Sequence, residues 1–190
     1  MTITLINGSL AKKSHIFVLL LYIETLLEAK KIDTVLWDLR ERPLINVIPE
    51  YHKNPWDTPD ERVQEFVALI QRSDGIVLGS PLYHGSFSGV LKNALDNLQA
   101  DAFRHKPVAL VSNAGGVRVA EKAAEALRPV VRALYGHAIQ TQIGTTKSDY
   151  EETDSGYILI SDDIKERCQR LVDELIQFTA LLKPQGEKLR

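Results

Sequence analysis

The segment Asn7-Gly8-Ser9-Leu10-Ala11-Lys12-Lys13-Ser14-His15-Ile16 brings two serine hydroxyls, two lysines and a run of main-chain amides into ten residues. If a strand ends before it and a helix begins within it, unpaired amides and the helix dipole together favour an anion there. It is not G-x-G-x-x-G, so it lacks a dinucleotide fingerprint. Nor is it G-x-x-x-x-G-K-[ST], which disfavours a triphosphate cradle. A monophosphate suits it, although the same residues also describe an ordinary serine-capped turn. A second segment, Ser80-Pro81-Leu82-Tyr83-His84-Gly85-Ser86, has a proline that fixes the backbone and a glycine that permits close approach. Such a turn can aim amides at the polar edge of a flat heteroaromatic ring while Tyr83 lends apolar surface. It also reads as a proline turn with a tyrosine packed on the surface. His84 has no acid near it in sequence, so it reads as a loop residue used for its backbone and not as a general base. In the third segment, Ser112-Asn113-Ala114-Gly115-Gly116, a ring or its side chain could press against bare backbone. The alternative is a flexible connection.

These segments matter only if the elements around them bring them together. Thr2 to Ile6 reads as a short strand, and Ser14 caps a helix to about Lys30. Ile32 to Leu39 alternates like a strand, and Glu41 to Asp57, with three prolines, reads as loop. Thr58-Pro59-Asp60-Glu61 has the form of a capping box with proline at the first helical position. Val63, Phe66, Val67 and Ile70 then make an apolar stripe. Gly75 to Gly79 is an apolar run suited to a central parallel strand. Ser86 or Ser88 caps a helix to about Leu98, with Val90, Leu91, Ala94, Leu95 and Leu98 on one face. Pro107 to Val111 repeats the strand pattern. The helix after it runs to about Leu134, with Ala120, Ala123, Leu127, Val131 and Leu134 inward, and Pro129 should kink or restart it. Ala138 to Ile143 suggests an edge strand and Lys147 to Tyr157 a loop. Ser161 caps a last helix with the stripe Ile164, Cys168, Leu171, Leu175, Phe178 and Leu182, ended by Pro184. Strands and helices alternate throughout, which predicts an α/β fold with a doubly wound, parallel five-stranded sheet in the order 2-1-3-4-5. Ligands of such sheets sit beyond the carboxyl ends of the strands. The three segments follow the first, third and fourth strands, which that order makes neighbours. Phosphate, ring edge and ring face are what a mononucleotide requires.

With 190 residues, 44% hydrophobic, the chain fits a single domain spanning 1–190. A net charge of -2 gives no long-range pull toward nucleic acid or anionic lipid. The single cysteine, Cys168, excludes an intrachain disulfide and fits an apolar stripe. The five histidines show no ligand spacing, so no metal site is expected. The opening residues do not form a signal peptide, and Ile16 to Leu27 is too short to span a bilayer, so a cytoplasmic protein is expected. Arg118 reads as a solvated arginine, and Lys92 with Asp96 as an i,i+4 ion pair. A signalling receiver would need clustered acids after the first strand. A serine esterase would need G-x-S-x-G where the chain has Gly79-Ser80-Pro81.

The stretch GSPLYHGSFSGVLKNALDNL, with ITLINGSLAKKS before it, resembles the NAD(P)H-dependent FMN reductase family, which is flavodoxin-like. Gly115 through Leu134 is most similar to the flavin reductases that feed alkanesulfonate monooxygenases. The resemblance runs to about Ile143. It implies that Ser9, Ser14, His15 and Ile16 hold the FMN phosphate. It implies that Pro81, Leu82, Tyr83, His84 and Gly85 contact the isoalloxazine ring, and that Asn113, Gly115 and Gly116 line its other side. No catalytic side chain is implied. The chemistry belongs to the flavin N5, and backbone amides near His84 and Gly85 meet charge developing at the N1/C2 carbonyl edge. The implied function is hydride transfer from NAD(P)H to FMN and on to free flavin, a quinone, an azo compound or a metal oxyanion. A flavodoxin-type electron carrier without its own NAD(P)H site is the alternative. A homodimer or homotetramer through the helix Val90 to Leu98 is implied too. The chain departs from its relatives in two respects: they often carry an arginine next to Ser9 or two residues after it, and small polar residues after Ser14, whereas Leu10, Ala11, His15 and Ile16 stand here, with Lys12 and Lys13 nearby.

Overall fold

The computed structural model describes residues 1–183. β1 (Thr2–Asn7), β2 (Asp33–Asp38), β3 (Gly75–Pro81), β4 (Pro107–Asn113) and β5 (His137–Thr145) form one parallel sheet in the order β2-β1-β3-β4-β5, as expected. α1 (His15–Ala29) and α5 (Asp162–Leu182) cover one face. α2 (Glu61–Arg72), α3 (Gly89–Asp96) and α4 (Lys122–Ala133) cover the other. The pleat sorts the central strands between two cores: Ile76, Leu78, Val108 and Leu110 pack with α2, α3 and α4, while Val77, Ala109 and Val111 pack with α1 and α5. Both faces of β3 and β4 are therefore buried, which explains their unbroken apolar runs.

Local chemistry sets most helix starts. Ser14, Ser88 and Ser161 cap α1, α3 and α5, each hydroxyl accepting from the amide three residues on. The start of α2 differs from expectation. Asp60, not Thr58, is the cap, its carboxylate accepting from the Val63 amide at 2.9 Å. Pro59 holds Thr58 in an extended conformation, φ -61° and ψ 139°, so the helix begins at Glu61. α4 runs through Pro129 without restarting, and Ala120 precedes it, buried at the end of a 3-10 turn, Val117–Val119.

Three further expectations are corrected. The region 147–157 is not a loop throughout. β6 (Tyr150–Thr153) and β7 (Gly156–Leu159) form an antiparallel hairpin. The inward stripe of α5 ends on Thr179, whereas Phe178 is exposed and Leu182 half-buried. A Cβ on Gly75 would lie 2.9 Å from the Thr179 hydroxyl, so the helix end meets β3 too closely for a larger residue. The expected stop at Pro184 lies outside the described residues. β5 is longer than expected and carries a bulge. Val108 pairs with Ala138 but Leu110 pairs with Gln142, leaving extra β5 residues whose backbone finds side-chain partners. Glu174 accepts from the amides of Gln140 and Thr141 at 2.8 and 2.9 Å, and Arg128 donates to the carbonyls of Ile139 and Gln140.

Candidate functional site

The carboxyl ends of β1, β3 and β4 lie side by side. Asn7 pairs with Gly79, and Pro81 with Asn113. The turns after them are tied across the rim, since Gly8 donates to the Gly79 carbonyl at 2.8 Å and Leu82 to the Asn113 carbonyl at 2.8 Å. Gly8 is required by packing, because a Cβ there would stand 2.8 Å from the Gly79 oxygen and 3.0 Å from the Leu91 Cβ. Ser88 joins this contact, its hydroxyl donating to the Gly8 carbonyl at 2.6 Å.

The first turn is shaped by Asn7. Its side chain accepts from the Ser9 amide at 3.1 Å and donates to the Ser9 carbonyl and to Asp38 of β2. Ser9 and Ser14 are buried, and Ser14 caps the helix. The amides of Lys12, Lys13, Ser14, His15 and Ile16 find no acceptor among the described residues, which makes this helix start an anion cradle. Ile16 contributes only its amide, because its side chain lies wholly in the core with α1 and α5. His15 stacks on Tyr157 of the hairpin, with centroids 3.9 Å apart, and lies tilted against Tyr150 at 4.6 Å. Burial holds its pKa below the ordinary 6.5, against the opposing charge of Glu152 and a hydrogen bond to Asn113.

The second turn is a two-residue hairpin. Tyr83 and Ser86 exchange both backbone hydrogen bonds, and His84 and Gly85 take the left-handed φ values of 49° and 86°. Their own amides find no acceptor among the described residues. The His84 ring has no hydrogen-bond or ion partner among the described residues, which agrees with a backbone role. Tyr83 is 50% exposed. In the third turn the Asn113 side chain donates to the Thr145 hydroxyl at 3.0 Å, and the Tyr150 hydroxyl donates to the same oxygen. Gly115 and Gly116 are different in kind from Gly8. A Cβ on either meets nothing within 4 Å, neither has a positive φ, and Gly116 is plainly extended at φ -152°. Neither packing nor conformation asks for glycine at these two positions.

The structure thus brings together Ser9, Ser14, His15, Pro81, Leu82, Tyr83, His84, Gly85, Asn113, Gly115 and Gly116 on one rim, and among the described residues nothing comes within 4 Å of a Cβ placed on either glycine. A groove of about 480 Å³ begins at Val117, next to Gly116 in sequence, and is lined by Arg118, Lys122 and Arg167 as well as by Glu121, Glu125, Asp149 and Asp163. Sequence reading missed the neighbours supplied from a distance. Asp38 and Arg40 come from the end of β2, and Tyr150 and Tyr157 from the hairpin. Arg40 donates to the Lys12 carbonyl at 2.9 Å, and its Nε is the single buried side-chain nitrogen or oxygen without a partner among the described residues. An acidic residue closing β2 beside Asn7 was the available signal, and it points to loop bracing.

An anion cradle, unpaired amides beside it and a shelf of bare backbone together suit a phosphorylated flat ring. The comparisons with known proteins agree. Residues 1–149 match the model of the NADPH-dependent FMN reductases. The chain belongs to the NADPH-dependent FMN reductase family. An FMN-dependent NADPH-azoreductase of Staphylococcus saprophyticus is 37% identical over 175 residues, 92% of this chain and 93% of that one. Among solved structures, the apo form of an NADH:FMN oxidoreductase superposes with a TM-score of 0.73 at 20% identity, over 97% of this chain and 91% of that one. The NAD(P)H:(acceptor) oxidoreductase FerB of Paracoccus denitrificans gives 0.68 at 20% identity, over 95% and 97%. This FMN reductase family member is therefore an oxidoreductase that uses FMN and NAD(P)H. The space beside Gly115 and Gly116, where an added Cβ would meet nothing within 4 Å, is compatible with a flat ring.

Proposed function

We propose that this protein is an NAD(P)H-dependent FMN enzyme that reduces flat aromatic acceptors, azo compounds among them, on the rim formed by β1, β3 and β4. When bound there, FMN supplies the redox chemistry, accepting two electrons from NAD(P)H and releasing them to the acceptor. The rest is the work of the protein. Amides from Lys12 to Ile16 and the hydroxyls of Ser9 and Ser14 hold the phosphate. Amides of His84 and Gly85 face the polar edge of the ring and oppose negative charge there. Pro81, Leu82 and Asn113 would help hold the ring at the strand ends. Tyr83 and the 80% exposed Val117 offer apolar surface on either side of the shelf for a stacked acceptor. Azo reduction is supported by the name and 37% identity of the staphylococcal relative. An electron carrier without a donor site fits less well, since the family itself is NADPH-dependent.

The observation that carries this reading is Gly115-Gly116, glycines that the fold does not need. Gly116→Val tests it, because valine favours the extended backbone already present. The variant should melt with wild-type protein yet lose FMN binding, read by flavin fluorescence, and lose NADPH-driven azo-dye bleaching with it. Wild-type FMN affinity in this variant would remove the ring from the shelf.

Pairing of two copies through α3 is part of the same proposal. The stripe Leu91, Ala94, Leu95 and Leu98 is buried in the chain's own core and Val90 packs half-buried against it, so a second copy would meet only the part of Val90 and its neighbours left exposed. Sedimentation of a Val90→Asp variant tests it, with a monomer expected. No described helix is long and apolar enough to cross a membrane. The free, buried Cys168 needs no oxidising compartment, which supports a cytoplasmic setting.

A further inference from the structure

We propose that Arg40, delivered from the end of β2, supplies the positive charge that the flavin phosphate meets in this chain. The inference rests on the site described above. The phosphate turn itself offers one cation without an ion partner among the described residues, the exposed Lys12. Leu10 and Ala11 are apolar, and Lys13 is committed to Glu152 at 3.2 Å and to the Thr153 carbonyl at 3.3 Å. Arg40 reaches the same place from another element. Its Nη1 donates to the Lys12 carbonyl, and its guanidinium carbon lies 5.8 Å from the ring of Phe17 in the first turn of α1. The group therefore spans the turn and the start of the helix, beside the row of unpaired amides.

The way the guanidinium is held separates fixing it from using it. Nη2 carries both ion contacts, to Glu41 at 2.9 Å and to Asp38 at 3.6 Å. Asp38 is itself anchored, accepting from Asn7 at 2.7 Å and from the Arg40 amide at 3.0 Å. Nη1 is taken by the Lys12 carbonyl, while Nε is buried and makes no hydrogen bond. A buried donor without an acceptor is unfavourable, and a fork geometry suits a phosphate oxygen. Nε is closed off from solvent, so the exposed part of the guanidinium, held at the turn and near the start of α1, is what a phosphate at the helix start would meet.

The rival role for Arg40 is that of a brace, holding the turn through the Lys12 carbonyl with no share in the anion. Riboflavin, which lacks the phosphate, distinguishes the two. Dissociation constants for FMN and riboflavin are measured by fluorescence quenching with wild type, Arg40→Ala and Arg40→Gln, the last keeping a donor for Lys12 without the charge. Both variants should lose at least tenfold in FMN affinity while riboflavin affinity changes less than twofold. The FMN affinity of wild type should also fall more steeply with added salt than that of Arg40→Gln. Unchanged FMN affinity, or an equal loss for both flavins, would overturn the role of Arg40. Gly116→Val, measured alongside, should weaken both flavins alike. If it weakens neither, the site itself is misplaced, a failure distinguishable from that of Arg40.

Discussion

At the scale of single residues, burial decides which groups react and which only pack. Cys168 is fully buried, and burial pushes its thiol up to about 12. It should resist a thiol reagent in the native protein and react once urea unfolds the chain; rapid native labelling would contradict this. His15, at the start of α1, is a group whose burial couples folding to pH. Its pKa is depressed, so the folded protein favours the neutral ring. The stability this contributes is complete above the ordinary value of 6.5 and is lost as pH falls from there through the depressed folded value. The melting temperature should therefore decline between pH 7 and pH 5.5, and His15→Gln should flatten that part of the profile. An unaltered slope in the variant would assign the effect elsewhere.

At the scale of elements, two features of the β5 region depend on partners far along the chain. The bulge in β5 exposes amides that Glu174 accepts from α5. Burial alone would raise the pKa of Glu174, but its hydrogen bonds to Thr141 and Gln140 and the nearby Arg128 outweigh this and lower it. Its contribution is present above 4.5 and disappears as pH falls through the folded value. Glu174→Ala should cost about 1 kcal/mol in urea unfolding at pH 7, part of the usual value being screened by solvent. No loss would show that the bulge needs no clasp. The hairpin β6–β7 is the other case. Its four-residue strands expose Glu151, Glu152 and Ile158, and a lone hairpin is marginal in water. It stands because Tyr150 and Leu159 are buried and Tyr157 stacks on His15. None of those partners is local, so Lys147 to Tyr157 looked like loop. The serine caps were legible because a cap acts on its own next turn. At Thr58 the reading slipped by two residues, since Asp60 offers an equally good acceptor and Pro59 favours the later start.

At the scale of the whole molecule, right-handed crossovers and two apolar cores leave β1, β3 and β4 adjacent, and their turns form one rim. FMN bound there should stabilise the fold by mass action. At one hundred times its dissociation constant it adds about 2.7 kcal/mol, or about 5–10 °C in melting temperature for a chain of this size. Riboflavin at the same concentration should give a smaller shift, and no shift with FMN would argue against a folded-state site.

The alternation of strands and helices, the sheet order and the three special turns followed from the sequence, because each is written in neighbouring residues: apolar period, cap, proline and glycine. What the tertiary structure decided is non-local. Gly8 is a packing glycine whereas Gly115 and Gly116 are not, and only the atoms around each can distinguish them. The charge beside the phosphate turn comes from Arg40, 28 residues beyond the Lys12 carbonyl it holds, because parallel pairing sets the end of β2 against the end of β1.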